Sequence, residues 1–161
     1  MFIAHLPTGY IIARAFIAKN KHVSSKKLIF FSMFGAFFPD IDMLYFHLID
    51  KGKIHHHEYF THYPIVWFGL LALYLLYFNI YYFIFILNGC MHLILDSLVG
   101  DILWLAPFSH KYFSLFIVTA RYKPWWLNFI FHWSFVLELS ILLVALYLYF
   151  KQRNKSYKGI D

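Results

Sequence analysis

The sequence predicts an all-α protein, a polytopic membrane helical bundle of about four to five helices. Three observations carry that expectation. Hydrophobic residues make up 61% of the chain and aromatic residues 24%, against roughly 45–50% apolar residues in soluble domains. Apolar stretches alternate with short polar connectors, so each stretch reads as a helix. Residues 64–106 contain two acidic side chains, Asp96 and Asp101, and no Lys or Arg. At 161 residues the chain fits one domain, with 1–150 as the membrane-embedded unit and 151–161 as a basic tail.

The elements follow in order. "TGYIIARAFIA" (8–18) reads as a short helix and "KNKHVSSKK" (19–27) as a basic connector. "LIFFSMFGAFF" (28–38) is a second helix, and Pro39 should end it at Phe38, because the residue before proline avoids the α region. Residues 64–106 exceed the roughly 20 residues that cross a hydrocarbon core. They divide near Asn79 into helices over 64–78 and 80–98, and a last span covers about 126–150. The N-terminal stretch lacks a basic leader region and carries His5, Pro7 and Arg14, so it reads as mature protein. The single Cys90 excludes an intramolecular disulfide and a cysteine-based zinc motif. The net charge of +6 lies in connectors and tail rather than along one helix face. That distribution argues against a nucleic-acid partner and for the lipid bilayer.

"HHHEYFTH" (55–62) gathers four of the ten histidines directly before an apolar stretch. The run is internal and interrupted, which excludes a leftover tag and leaves a pH-sensitive patch or one wall of a metal site. "PDID" places Asp40 and Asp42 near a helix N-terminus, where the partial positive charge favours carboxylates. One capping acid would be ordinary; a second asks for more. "HLILD" puts His92 and Asp96 at i and i+4, on one helix face. Either alone reads as a structural hydrogen-bonding residue, but ionisable groups at membrane depth are rare and functional as a rule.

Following the helices back and forth brings His5, Asp40, Asp42, His57, His62, His92 and Asp96 to one end of the bundle. Lys19, Lys21, Lys26 and Lys27 and the tail lie at the other end. Imidazole and carboxylate without thiolate suit Zn²⁺, with Mn²⁺ or Fe²⁺ as alternatives. Seven donors exceed the three protein ligands of a single catalytic zinc, so two or more ions fit them better. His55 and His56 read as solvated neighbours. Asp101, His110 and Arg121 lie in the connector on the site side, where they are candidates for substrate contact; Arg121 is suited to hold a phosphate bidentately.

The pieces "AHLPTGY", "FPDIDMLYFH", "HHHEYFTH", "HLILDSLVGD" and "WLAPFSH" resemble the bacterial YdjM-like inner-membrane proteins, whose suggested role is metal-dependent hydrolysis. They cover most of residues 4–110. The resemblance implies the same seven ligands, a bacterial inner-membrane location and an all-helical fold. A more distant likeness is to the zinc-dependent phospholipase C and P1-type nuclease group, which implies phosphoester chemistry. The chain departs from the family where Glu58 replaces an Arg after the first His of the pair, and where "SLVGDILWLAPF" follows Asp96. The expected function is hydrolysis of a phosphoester in a lipid or membrane-proximal substrate, with Asp42 orienting or deprotonating a water. A metal transporter or sensor would use the same donors, but along a path through the membrane. More Lys and Arg at the far end than at the site end place the site on the extracytoplasmic side.

Overall fold

The computed structural model describes residues 3–157. Helix α1 (His5–Lys19) tolerates Pro7 because the first helical turn has no intrahelical N–H bond to lose. Asn20 stops it, its side-chain amide donating to the Phe16 carbonyl at 2.9 Å. After a short turn, Ser24 caps α2 (Ser25–Phe37), which runs antiparallel to α1. Pro39 ends α2 one residue earlier than the sequence suggests, and the chain continues through a tight turn, Phe38–Ile41, into α3 (Asp42–Tyr45). Lys51 and Gly52, both at positive φ (52° and 74°), then reverse its direction.

Two further helices form the second hairpin, α4 (Pro64–Tyr74) and α5 (Ile80–Asp96). The helix expected over 64–78 stops at Tyr74. Asn79, at φ −138°, caps α5 by accepting from the N–H groups of Tyr81 and Tyr82, and so must leave helical geometry. The single last span expected over 126–150 is two helices, α6 (Trp125–Ile130) and α7 (Ser134–Tyr157). At the break, His132 Nδ1 contacts the Ser134 hydroxyl at 2.9 Å and accepts from its N–H at 3.3 Å. Such local bonds compete with the helical ladder. Residues 158–161 of the expected basic tail lie outside the described residues.

Among the described residues the fold is all-helical, with one isolated antiparallel bridge between Ile102 and Phe113. Two helical segments are long and apolar enough to cross a membrane, Ser25–Asp50 and Ser134–Asn154. The expected bundle is helical, but the other helices fall short of span length: α1, α4 and α5 have 15, 11 and 17 residues, below the roughly 20 that a span needs.

Small residues draw the helices together. The Ser32 hydroxyl donates to the Gly9 carbonyl at 2.7 Å and accepts from the Asn88 amide at 2.7 Å, linking α1, α2 and α5. Gly35 meets the backbone of Phe85, and Gly89 lies against the Trp67 ring. Close approach at glycine with side-chain hydrogen bonds across helices is how helices associate in lipid. Ala13, Leu28 and Ile84 form one core cluster, and Trp67, Ile86 and Leu93 another. Helix α7 lies parallel to α1: Glu138 meets Ile3, Tyr10 meets Tyr149, and Arg14 meets Gln152. The starts of α1, α4 and α7 and the ends of α2 and α5 therefore share one end of the bundle.

Candidate metal centre

At that end, four imidazoles turn their Nε2 atoms towards Asp96. His5 Nε2 lies 3.1 Å from Oδ1; His92, His57 and His62 lie 2.9, 3.7 and 3.8 Å from Oδ2. Asp40 Oδ1 faces His92 at 3.5 Å and His62 at 3.7 Å. Each group comes from a separate local device. His5 opens α1, Asp40 follows Pro39 in its tight turn, His57 lies within one short turn and His62 ends the next, and His92 and Asp96 share the last turn of α5.

In three of the four rings the opposite nitrogen is tied back. His92 Nδ1 donates to the Ala36 carbonyl at 2.8 Å, His57 Nδ1 to the Asp101 carbonyl at 3.1 Å, and His62 Nδ1 to Asp42 Oδ2 at 2.6 Å. A neutral ring that donates through Nδ1 presents a lone pair at Nε2. Lone pairs facing a carboxylate at these distances require a cation or a proton where they meet. His62 Nε2 is buried without a hydrogen-bond partner, its nearest carboxylate oxygens lying 3.7 and 3.8 Å away, which is costly for a polar atom. Two ligands about 2.1 Å from one tetrahedral ion lie about 3.4 Å apart, inside the 2.9–3.8 Å spread measured here. The residues fit a metal ion.

Among the described residues three groups could hold one: His5, His92 and Asp96; Asp40, His62 and His92; and His56, His57 and His62, with ligand atoms within 4.8 Å of one another in each. Burial pushes His57 down to about 2 and His56 down to about 4, with neighbouring imidazoles adding to both shifts. Both stay neutral at physiological pH, which is the ligating form. Asp40 is the open side of the nest: its side chain is 31% exposed, against 7% or less for His5, His57, His62, His92 and Asp96.

The sequence-level assignments divide. His5, Asp40, His57, His62, His92 and Asp96 are brought together. Asp42 is not in the ring. It sits behind His62, its Oδ2 accepting from the ring at 2.6 Å and from the Thr61 hydroxyl at 2.6 Å. His56, expected to be a solvated neighbour, is half-buried beside His57 with ring centroids 4.0 Å apart, whereas His55 is exposed. Asp101 contributes its backbone carbonyl to His57, and its side chain is exposed. His110 and Arg121 are exposed, the Arg121 N–H donating to Asn128 at 2.8 Å.

Sequence reasoning missed Thr61 and Gly100. Thr61 orients Asp42, and its carbonyl accepts from the Trp67 indole at 2.8 Å. A Cβ at Gly100 would lie 2.8 Å from His57 Cε1, so only glycine lets that connector pass beneath the ring. Glu138, 2% exposed, accepts from the Ile3 N–H at 2.6 Å and so ties the segment before His5 to α7.

Carboxylates that orient a ligating histidine typically govern about 10–100-fold in metal affinity. Asp42→Ala is therefore expected to weaken metal binding by about that factor, with Thr61→Ala losing less. Titration against a chromogenic chelator measures both.

The chain belongs to the YdjM inner membrane protein family, whose model matches residues 1–156. No curated protein and no solved structure matches it.

Proposed function

We propose that this member of the YdjM inner membrane protein family is a membrane-bound, metal-dependent hydrolase of phosphoester bonds in a lipid or membrane-proximal substrate. The convergence of four Nε2 atoms on Asp96, beside a half-open Asp40, carries this reading. The donor set of imidazole and carboxylate favours Zn²⁺, with Mn²⁺ and Fe²⁺ next. The number of donors, more than the three protein ligands of one catalytic zinc, favours two or more ions. A bound divalent ion supplies Lewis acidity towards a phosphoryl oxygen and lowers the pKa of a water.

The chain's own groups divide the remaining work. His5, His57, His62, His92 and Asp96 hold the centre, and Asp42 with Thr61 fixes the orientation of His62. Hydrolysis adds water across the P–O ester bond. The water oxygen bonds phosphorus, the ester oxygen leaves and takes up a proton, and a carboxylate accepts the proton that water gives up. The sequence suggested Asp42 for that last role. Asp40 suits it better, because Asp42 Oδ2 is occupied by two donors inside the protein while Asp40 reaches solvent.

Protein purified without chelator is expected to carry more than one equivalent of divalent metal and to release p-nitrophenol from ethyl p-nitrophenyl phosphate in detergent. Chelation should stop the release and Zn²⁺ restore it. No metal uptake on titration, or full turnover in the apo-protein, overturns the proposal.

The proposed orientation is extracytoplasmic for the site and cytoplasmic for the C-terminus. Among the described residues seven Lys and Arg (Lys19, Lys21, Lys26, Lys27, Lys151, Arg153, Lys155) belong to the far end, against five (Lys51, Lys53, Lys111, Arg121, Lys123) at the site end; Lys158, the eighth that the sequence counts there, lies outside the described residues. A C-terminal reporter fusion should be active only in the cytoplasm; activity only in the periplasm reverses the orientation.

A further inference from the structure

An open groove of about 570 Å³ runs along α2, lined by Leu6, Ile29, Phe30, Met33, Phe34 and Phe37, with Lys26 at its far end. Its position sets it apart from the other apolar surfaces of the chain. Leu6 follows His5, whose Nε2 is 3.1 Å from Asp96, and Phe37 lies at the end of α2, just before the turn that carries Asp40. One end of the groove therefore lies beside the two segments that carry His5 and Asp40. From Phe37 back to Lys26 it follows the helix for about 16 Å, at about 1.5 Å per residue. Gly9 and Ala36 shape that end. A Cβ on Gly9 would lie 2.9 Å from the Ala36 Cβ, so α1 and α2 touch there and Leu6 stands as a wall at the mouth.

We infer that this groove takes an acyl chain of the substrate, so that the hydrolysed phosphoester belongs to a lipid rather than to a soluble molecule beside the membrane. The inference rests on the hydrolase reading and adds the substrate class to it. Apart from Lys26 every wall is apolar, and Phe30, Phe34, Phe37 and Leu6 are all exposed, at 62, 37, 45 and 43%. A hydrocarbon chain satisfies such a surface; a sugar or nucleotide does not. Continuity with Asp40 decides which part of the lipid goes where: the phosphate lies at the carboxylate and imidazole end, and the chain lies along α2. The exposed apolar face of α7 begins at the same end of the bundle, but α7 carries none of the ligating groups, whereas α1 and the turn after α2 carry His5 and Asp40.

The test compares hexadecyl p-nitrophenyl phosphate with ethyl p-nitrophenyl phosphate in mixed micelles, on the metal-loaded full chain. The two esters share the reacting bond and the leaving group and differ only in the chain. Wild type is expected to prefer the hexadecyl ester. Met33→Trp, which fills the groove and touches no ligating residue, should raise KM for the hexadecyl ester about tenfold, the cost of leaving about two methylenes unburied. The ethyl ester should be unaffected. Equal kcat/KM for the two esters in wild type, or equal loss of both in Met33→Trp, overturns the acyl-chain inference and leaves the hydrolase reading standing. Cleavage of neither ester overturns the hydrolase reading. The groove is then judged by photolabelling with a diazirine-bearing phosphatidic acid in vesicles. Labelling concentrated on α2 and Leu6, and reduced by Met33→Trp, supports it; labelling spread evenly over α2 and α7 overturns it.

Discussion

Asp96→Ala protein is expected to come off purification without metal and without hydrolytic activity, while His55→Ala retains both. Asp96 is the one carboxylate faced by all four inward imidazoles, with Oδ1 turned to His5 and Oδ2 to His92, His57 and His62. Its loss should exceed the roughly 10–100-fold that a mere orienting group governs. His92→Ala should behave alike, since His92 shares the last turn of α5 and faces both Asp96 and Asp40. His55 is exposed, and its ring accepts from the His57 N–H at 3.3 Å rather than facing the nest. Elemental analysis alongside circular dichroism in detergent separates loss of metal from loss of fold. Helical content near wild type with no bound metal is the expected result for Asp96→Ala. Full metal occupancy in that variant would remove the centre described here.

Gly35→Ala is expected to destabilise the bundle and weaken metal binding together. A Cβ there runs into the Phe85 carbonyl and its neighbouring backbone atoms, which no side-chain rotation can move aside. The helices must separate, and overpacking of this kind costs about 1–3 kcal/mol. Because α2 leads into Asp40 and α5 ends in His92 and Asp96, the same separation pulls the ligands apart. Gly69→Ala is the matched control, with nothing within 4 Å of an added Cβ. A lower unfolding temperature and looser metal binding in Gly35→Ala, with neither change in Gly69→Ala, is the expected pattern. Equal behaviour of the two would show that the α2–α5 contact is not tight.

Much of the bundle was legible because its signals are local. Pro39, Asn79 and Pro64 mark helix ends through steric and capping rules that hold without tertiary contacts. Which helices reach span length was not legible, because apolar composition reports a preference for burial or lipid, not helix length. Helices of 11 and 17 residues satisfy the first without the second. The break at His132–Ser134 was missed because it depends on side-chain bonds to the local backbone, which hydropathy does not register.

The same division runs through the site. His92 and Asp96 were bound to share a face by the 3.6-residue turn alone. Strict back-and-forth tracing was enough to collect the histidines at one end, because connectivity limits where a helix can deliver its last residue. Asp40 and Asp42 contain a warning that periodicity supplies: two residues apart on a helical turn, they point about 200° from each other and cannot both line one side. Which of them faces the nest was beyond sequence. That choice depends on the packing of Thr61 and His62 against Asp42, which occupies its carboxylate and leaves Asp40 half-open to solvent. The chain by itself determined the donors and the end of the bundle where they gather, since residue type and helix period are local properties. Only the tertiary structure decided which donors turn inward, because that direction is set by contacts between segments far apart in sequence.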